Sequence, residues 1–311
     1  MRVRIGTRGS ALALAQAGAV AAVLRGTGAR VEVVAMRTEG DRRLGARLAE
    51  VGGKGLFVRE IEAALAAGRV DLAVHSLKDL PADTPDGLEL AAFPAREDAR
   101  DVLVTKRGGT FNELPAGAVI GTSSLRRRAL ILAARSDLSV VPLRGNVDTR
   151  LAKLMAGECD GVVLAAAGLR RLALEPPHVH PLEAETFVPA VGQGILAVEI
   201  RADDAATRDL VRRLNDPATE ACARAERAYL RRLGASCNTP MAAHATLVGV
   251  AQRPRLFMTA MVASEDGRQI LRADAGGAPA DAEAIGRGLA ELLLERGAEA
   301  VTALQPSRWS S

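Results

Sequence analysis

A chain of 311 residues holds enough material for two or three domains and buries roughly three quarters of its unfolded surface. Its 48% hydrophobic content fits a globular protein, and no window reaches the ~18 consecutive apolar residues of a membrane span. The net charge of +4 is too small to argue for nucleic acid, and one Trp and one Tyr leave little surface for stacking on bases.

Residues 3–7 read as a strand and 10–24 as an amphipathic helix with Ser10 at its N-cap. Arg2 and Arg4 ahead of this apolar stretch superficially resemble a secretion signal. Gly6-Thr7-Arg8-Gly9-Ser10 and Gln16 interrupt it, which argues for a cytoplasmic protein. A strand at 30–37 leads to a long glycine- and charge-rich loop at 38–55, of the kind that is functional or mobile in compact domains. A helix over 56–67 places Leu56, Ile61, Ala64 and Leu65 on one face and ends at Gly68. Next come Asp71, the apolar run Leu72-Ala73-Val74, and then His75, Ser76, Lys78 and Asp79, closed by Pro81. Open α/β sheets bind ligands at the carboxyl ends of their strands. Lys78 beside Asp79 at such an end is either a strand-end ion pair or a catalytic acid/base.

The same order of elements then recurs. Ile5-Gly6-Thr7 before Ser10 is echoed by Ile120-Gly121-Thr122 before Ser123 and Ser124. Ala67-Gly68, with Asp71 and a strand after it, is echoed by Ala156-Gly157, Asp160 and a strand at 162–164. Two similar α/β lobes with a cleft are expected: residues 1–95 plus 195–214 as a discontinuous first lobe, and 100–190 as the second. The strand at 195–200, after Pro189-Ala190-Val191-Gly192-Gln193-Gly194, returns to the first lobe. Asp216-Pro217 opens a helix closed by Gly234. Strands near 246–251, 255–263 and 269–273 and a helix at 281–296 complete a small α+β domain over 216–311.

Glycine and hydroxyl groups at the helix starts after Gly6 and Gly121 make anion cradles, because free backbone N–H groups and the helix dipole attract negative charge. The second cradle adds Arg126, Arg127 and Arg128, of which helical spacing lets one or two face the cleft. Arg8, Lys54, Lys78, Arg144, Arg150 and Arg171 also fall at strand ends or in the loops beyond. Such a set suits a ligand with several carboxylates or phosphates, recognised by forked hydrogen bonds. No Walker A pattern is present. Cys159, Cys222 and Cys237 are odd in number and lack CxxC spacing, against a disulfide framework or structural zinc. Cys237 lies in a loop past a helix end, where a thiol is more reactive than in a core. His178 and His180 stand in a Pro-rich loop and His244 starts the tail domain. None has metal-ligand spacing, and no metal is expected. A two-lobed binder of a polyanion accounts for the repeat and the basic residues equally well, but has no use for the loop thiol or for Asp79.

Taken together, these residues resemble the hydroxymethylbilane synthase (porphobilinogen deaminase) family. The matches are Thr7-Arg8-Gly9-Ser10, Thr38-Glu39-Gly40-Asp41, Val51-Gly52-Gly53-Lys54-Gly55-Leu56-Phe57, the run from His75 to Pro81, Gly121 to Arg127, Leu143-Arg144-Gly145-Asn146, Pro189 to Gly194 and the Cys237 loop. The resemblance implies two periplasmic-binding-protein-like lobes and a third domain whose Cys237 carries a dipyrromethane cofactor through a thioether. It implies a transferase joining four porphobilinogen units with loss of ammonia, acting as a monomer without nucleic-acid or membrane partners. Asp79 would be the catalytic carboxylate. Arg8, Ser10, Lys54, Lys78, Thr122, Ser123, Ser124, Arg126, Arg127, Arg144, Arg150, Arg171 and Gln193 would bind cofactor and substrate. Ala235-Ser236 stands where the family commonly has Gly-Gly before its cysteine, which narrows backbone freedom there.

Overall fold

A computed structural model describes residues 1–36, 58–234, 239–249 and 254–303. The expected loop at 38–55 with Lys54, and the Cys237 segment, lie outside the described residues. Two compact units divide the chain: Met1–Glu97 with Gly192–Ala223, and Asp98–Val191 with Arg224–Ser311.

In chain order the first stretch runs β1 (Arg2–Arg8), α1 (Ala11–Gly26), β2 (Arg30–Met36), α2 (Arg59–Ala66), β3 (Leu72–Ser76), a 3-10 turn (Leu77–Asp79) and β4 (Leu88–Ala92). The second runs β5 (Asp101–Thr105), β6 (Val119–Gly121), α3 (Leu125–Ala134), β7 (Ser139–Val141), α4 (Val147–Ala156), β8 (Gly161–Ala165), α5 (Ala166–Arg171) and β9 (Val179–Leu182). Then come β10 (Leu196–Arg201), α6 (Ala205–Val211), α7 (Pro217–Leu233), β11 (Met241–Val248), β12 (Arg255–Ala263), β13 (Ile270–Gly277), α8 (Ala282–Glu295) and α9 (Ala298–Ala303).

The two five-stranded sheets have matching orders, β2-β1-β3-β10-β4 and β7-β6-β8-β5-β9. In each, the first three strands are parallel and the fourth runs antiparallel to both its neighbours. The fourth strand is exchanged along the chain: β5, after β4, completes the second sheet, and β10, after β9, completes the first. The repeat extends to individual bonds. Asp71 Oδ2 accepts from the Arg4 N–H at 2.8 Å, and Asp160 Oδ2 from the Val119 N–H at 2.8 Å. Each aspartate thus pins the start of its parallel neighbour.

Strand alternation sorts the first sheet's side chains onto two faces. Leu72 and Val74 join Val3, Ile5, Val198 and Ile200 against Ala17, Val20 and Leu24 of α1. Ala73 points the other way, onto Ile61, Ala64 and Leu65 of α2. In the second unit, Leu130 and Ile131 of α3 share a core with Leu103, Ile120 and Val163 and with Ala242 and Met261 of the three-stranded sheet β11-β12-β13. The turn at Gly267, with φ of 70°, lies so close to α3 that a Cβ would stand 2.3 Å from the Ala129 carbonyl oxygen.

Several boundaries differ from expectation. His178 precedes a strand and His180 lies within it: residues 179–182 are β9, which among the described residues is an edge strand paired with β5, where Pro181 forfeits no ladder bond that the sheet needs. β11 begins at Met241, because pairing with Val262 and Met261 recruits the small residues Ala242 and Ala243. β13 continues to Gly277 opposite Leu256. The closing α9 follows a helix stop at Gly297, whose φ is 91°.

Candidate functional site

In the first unit, the carboxyl ends of β1 and β3 and the start of α1 enclose a pocket lined by Arg8, Ser10, Leu12, Ala13, Gln16, Val58, Val74, His75, Ser76 and Asp79. Ser10 caps α1 as the sequence predicts, its Oγ accepting from the Ala13 N–H at 3.3 Å. Beneath it Thr7 is fully buried and donates its hydroxyl to the Ala13 carbonyl at 3.2 Å. Ser76 faces α1, where Gln16 Nε2 donates to Ser76 Oγ at 2.8 Å. His75, one residue earlier, faces the opposite side and lies 3.1 Å from Glu199 Oε2 on β10. Asp79 ends the 3-10 turn that follows β3 and is exposed. Leu77 anchors that turn by donating its N–H to the Ile195 carbonyl at 3.0 Å. Gly192 (φ 72°) presses on the turn from behind: a Cβ there would lie 2.8 Å from Leu77 Cγ and 3.0 Å from the Lys78 nitrogen. Gln193 is buried, and its carbonyl accepts from Arg96 Nε at 2.9 Å. Lys78 is half-buried on the same turn.

In the second unit, Thr122 Oγ1 accepts from the Ser124 N–H at 3.2 Å, and Ser123 Oγ donates to the Leu143 carbonyl at 3.1 Å. Ser124 caps α3 by accepting from the Arg127 N–H. The arginine run divides in an unanticipated way. Arg126 and Arg127 are both buried, and both guanidiniums meet Asp101, whose side chain has no exposure. Arg126 Nη2 is 2.8 Å from Asp101 Oδ2; Arg127 Nη2 is 2.8 Å and its Nε 3.2 Å from Oδ1. Arg127 Nη1 donates to the Val163 carbonyl and Arg126 Nη1 to that of Val188, each at 2.8 Å. Burial weakens the hold of Arg126 on its proton, and Asp101 opposes that effect. Arg150 Nε donates to the Gly145 carbonyl at 2.8 Å, while Arg144 and Arg171 are half-buried.

The pieces amount to an exposed carboxylate beside an anion cradle in one unit, and a second cradle with buried arginines in the other. Residues 3–209 match the family described as porphobilinogen deaminase, dipyromethane cofactor binding domain, and residues 220–295 match the porphobilinogen deaminase C-terminal domain. The chain belongs to the porphobilinogen deaminase family. The porphobilinogen deaminase of Syntrophobacter fumaroxidans is 48% identical over 301 residues, covering 96% of each chain. That of Syntrophotalea carbinolica is 50% identical over 303 residues, covering 97% of this chain and 95% of its own. That of Geobacillus kaustophilus is 49% identical over 300 residues, covering 96% and 95%. Among solved structures, an ABC-transporter periplasmic substrate-binding protein from Coxiella burnetii superposes on 70% of this chain and 94% of its own at 17% identity, with a TM-score of 0.42. At that level the order of the sheets remains the basis for the fold.

Membership of the porphobilinogen deaminase family brings a dipyrromethane cofactor, a pair of pyrroles bearing acetate and propionate side chains. The donor set fits such a group: hydroxyls and helix-start N–H groups at Ser10 and Ser124 suit carboxylates, and Asp79 can accept from pyrrole N–H. Among the described residues no cluster of three His, Cys, Asp or Glu is placed to hold a metal ion. Cys159 and Cys222 are buried, and burial pushes the Cys159 thiol up. Sequence reasoning overlooked Asp101, Glu199 and the Gln16–Ser76 contact. The first two carried a signal, since each is a carboxylate within an otherwise apolar strand, where an ionised group needs a partner.

Proposed function

We propose that this chain joins four porphobilinogen units head to tail into the linear tetrapyrrole hydroxymethylbilane, with Asp79 as the carboxylate at the reacting pyrrole nitrogens. The presentation of Asp79 at a strand end, in one pocket with Arg8, Ser10, Gln16 and Ser76, carries this reading. At each addition the C–N bond of the substrate's aminomethyl group breaks and ammonia leaves. The resulting cation is delocalised onto the pyrrole nitrogen, where a fixed carboxylate stabilises it. A C–C bond then forms, and the proton displaced from the attacked ring carbon balances the ammonia as ammonium. Asp79 is placed to hold or pass that proton.

The dipyrromethane, linked through Cys237, supplies the ring carbon to which the first unit is joined. Arg8, Ser10, Lys54, Lys78, Thr122, Ser123, Ser124, Arg144, Arg150, Arg171 and Gln193 bind the acetate and propionate groups. Arg126 and Arg127 contribute donors left over from Asp101. Each added unit brings two more carboxylates, which accounts for the number of basic residues. The enzyme works as a cytoplasmic monomer with porphobilinogen as its small-molecule partner, without nucleic acid. Among the described residues no helix is long and apolar enough to cross a membrane.

Intact-protein mass spectrometry tests the attachment. Protein from cells that make porphobilinogen should exceed the chain mass by two linked pyrrole units, and Cys237→Ser should lack the increment; a bare mass for the unaltered protein refutes it. Asp79→Asn should keep the increment and lose about 10²–10⁴-fold in turnover. Turnover equal to that of the parent removes Asp79 from the mechanism.

A further inference from the structure

The internal repeat supplies a control for what the fold alone requires. Superposing the Asp71 and Asp160 registers sets Glu62 of α2 against Leu151 of α4 and His75 of β3 against Leu164 of β8. The pairing of the fourth strands sets Glu199 of β10 against Val104 of β5. In the second unit these positions form one apolar cluster, with Val104 and Leu164 buried and Leu151 packed on them. In the first unit all three are ionisable. His75 Nε2 stands 3.1 Å from Glu199 Oε2, with side chains 5% and 1% exposed. Glu62 is half-buried on α2, which packs on β3 and β10, and its carboxyl is pushed up by burial and by Glu199, against the pull of His75 and Arg59.

Burying such groups is costly where leucine and valine serve. The unit that bears the cost is the one with Asp79; the corresponding position after β8 is Gly168. His75 also borders the Asp79 pocket, so the His75–Glu199 pair abuts its wall. Among the described residues, the charged groups on the elements around His75 are Glu199 on β10, Glu62 and Arg59 on α2, Arg8 at the end of β1, and Lys78 and Asp79 on the turn.

We infer that Glu62, His75 and Glu199 are positioning residues for the reaction at Asp79, holding in place the His75 wall of its pocket and setting the charge behind it. This rests on Asp79 being the reacting carboxylate. The deciding variant grafts the second unit's solution onto the first: Glu62→Leu, His75→Leu and Glu199→Val together, in the cofactor-bearing enzyme. It should fold and keep its cofactor mass while kcat falls by at least about tenfold, with KM within about threefold. Glu199→Gln alone, which keeps the shape and changes the group facing His75, should move the acid limb of the kcat profile by about half a pH unit. An unchanged kcat in the folded triple variant overturns the inference. If the triple variant fails to fold, an unmoved acid limb in Glu199→Gln overturns it. Asp79→Asn, measured alongside, separates the two readings: full activity there refutes the role of Asp79 itself, whereas an inactive Asp79→Asn beside unaffected cluster variants refutes only the positioning role.

Discussion

Asp101→Asn is the substitution whose cost the structure defines most closely. One carboxylate with no solvent exposure faces two guanidiniums that are themselves buried, through contacts of 2.8 Å to Arg126 and of 2.8 and 3.2 Å to Arg127. Asparagine keeps the shape, but it turns one acceptor oxygen into a donor amide and strips both cations of their counter-charge. Breaking a buried ion pair by removing one partner costs about 3–5 kcal/mol, and a unit of this size loses about 2–4 °C in melting temperature per kcal/mol. The expected fall is therefore roughly 6–20 °C in the transition of the second unit, followed by circular dichroism at 222 nm. Arg126→Met added to Asp101→Asn removes one of the stranded charges and should recover part of the loss. A melting temperature within about 2 °C of the parent for Asp101→Asn refutes the view that this carboxylate holds both arginines.

Gly192→Ala places a Cβ against the Asp79 turn at a left-handed φ, and a displacement of about 1 Å there should lower kcat by about 10²-fold, read in a steady-state assay for hydroxymethylbilane. Ser10→Ala removes the acceptor for the Ala13 N–H and should cost about 1 kcal/mol, seen in the urea midpoint. For Asp71, burial works to raise the carboxyl, but the Arg4 side chain and N–H together hold it below the usual carboxylate range. Its stabilisation is therefore complete above the unfolded value of about 3.9 and is lost as pH falls through the lower folded value. Asp71→Asn should narrow the difference in urea midpoint between pH 6 and pH 3, and an unchanged difference would count against the pairing.

The features legible in the sequence are those written locally. Ser10 and Ser124 announce helix starts within a few residues, and the spacing from Ala67 to Asp71 and from Ala156 to Asp160 marks the repeat that the Asp71 and Asp160 hydrogen bonds bear out. The pairs that shape the site depend instead on which strand lies beside which. His75 and Glu199 are 124 positions apart and meet only because β10 inserts antiparallel next to β3. Arg127 and Asp101 meet because β5 takes the same place in the other sheet. No local pattern encodes those insertions, so nothing in the arginine run itself announces that Arg126 and Arg127 also meet a buried carboxylate. Pro181 misleads for a related reason, since its place on an edge strand is a property of the finished sheet.

The exchange of fourth strands also dictates an order of events while the chain is being made. When residue 191 has been synthesised, the second five-stranded sheet has all its strands, but the first lacks β10. β4 then has no neighbour to bond to, and β3, the strand that leads to Asp79, presents a bare edge, of the sort that recruits other chains. Of the two five-stranded sheets, the first, although begun first, is finished second, and a chain interrupted before residue 201 is left with β3 and β4 unjoined. For such a protein, pausing or premature release in the stretch just before β10 is the point of greatest exposure to aggregation.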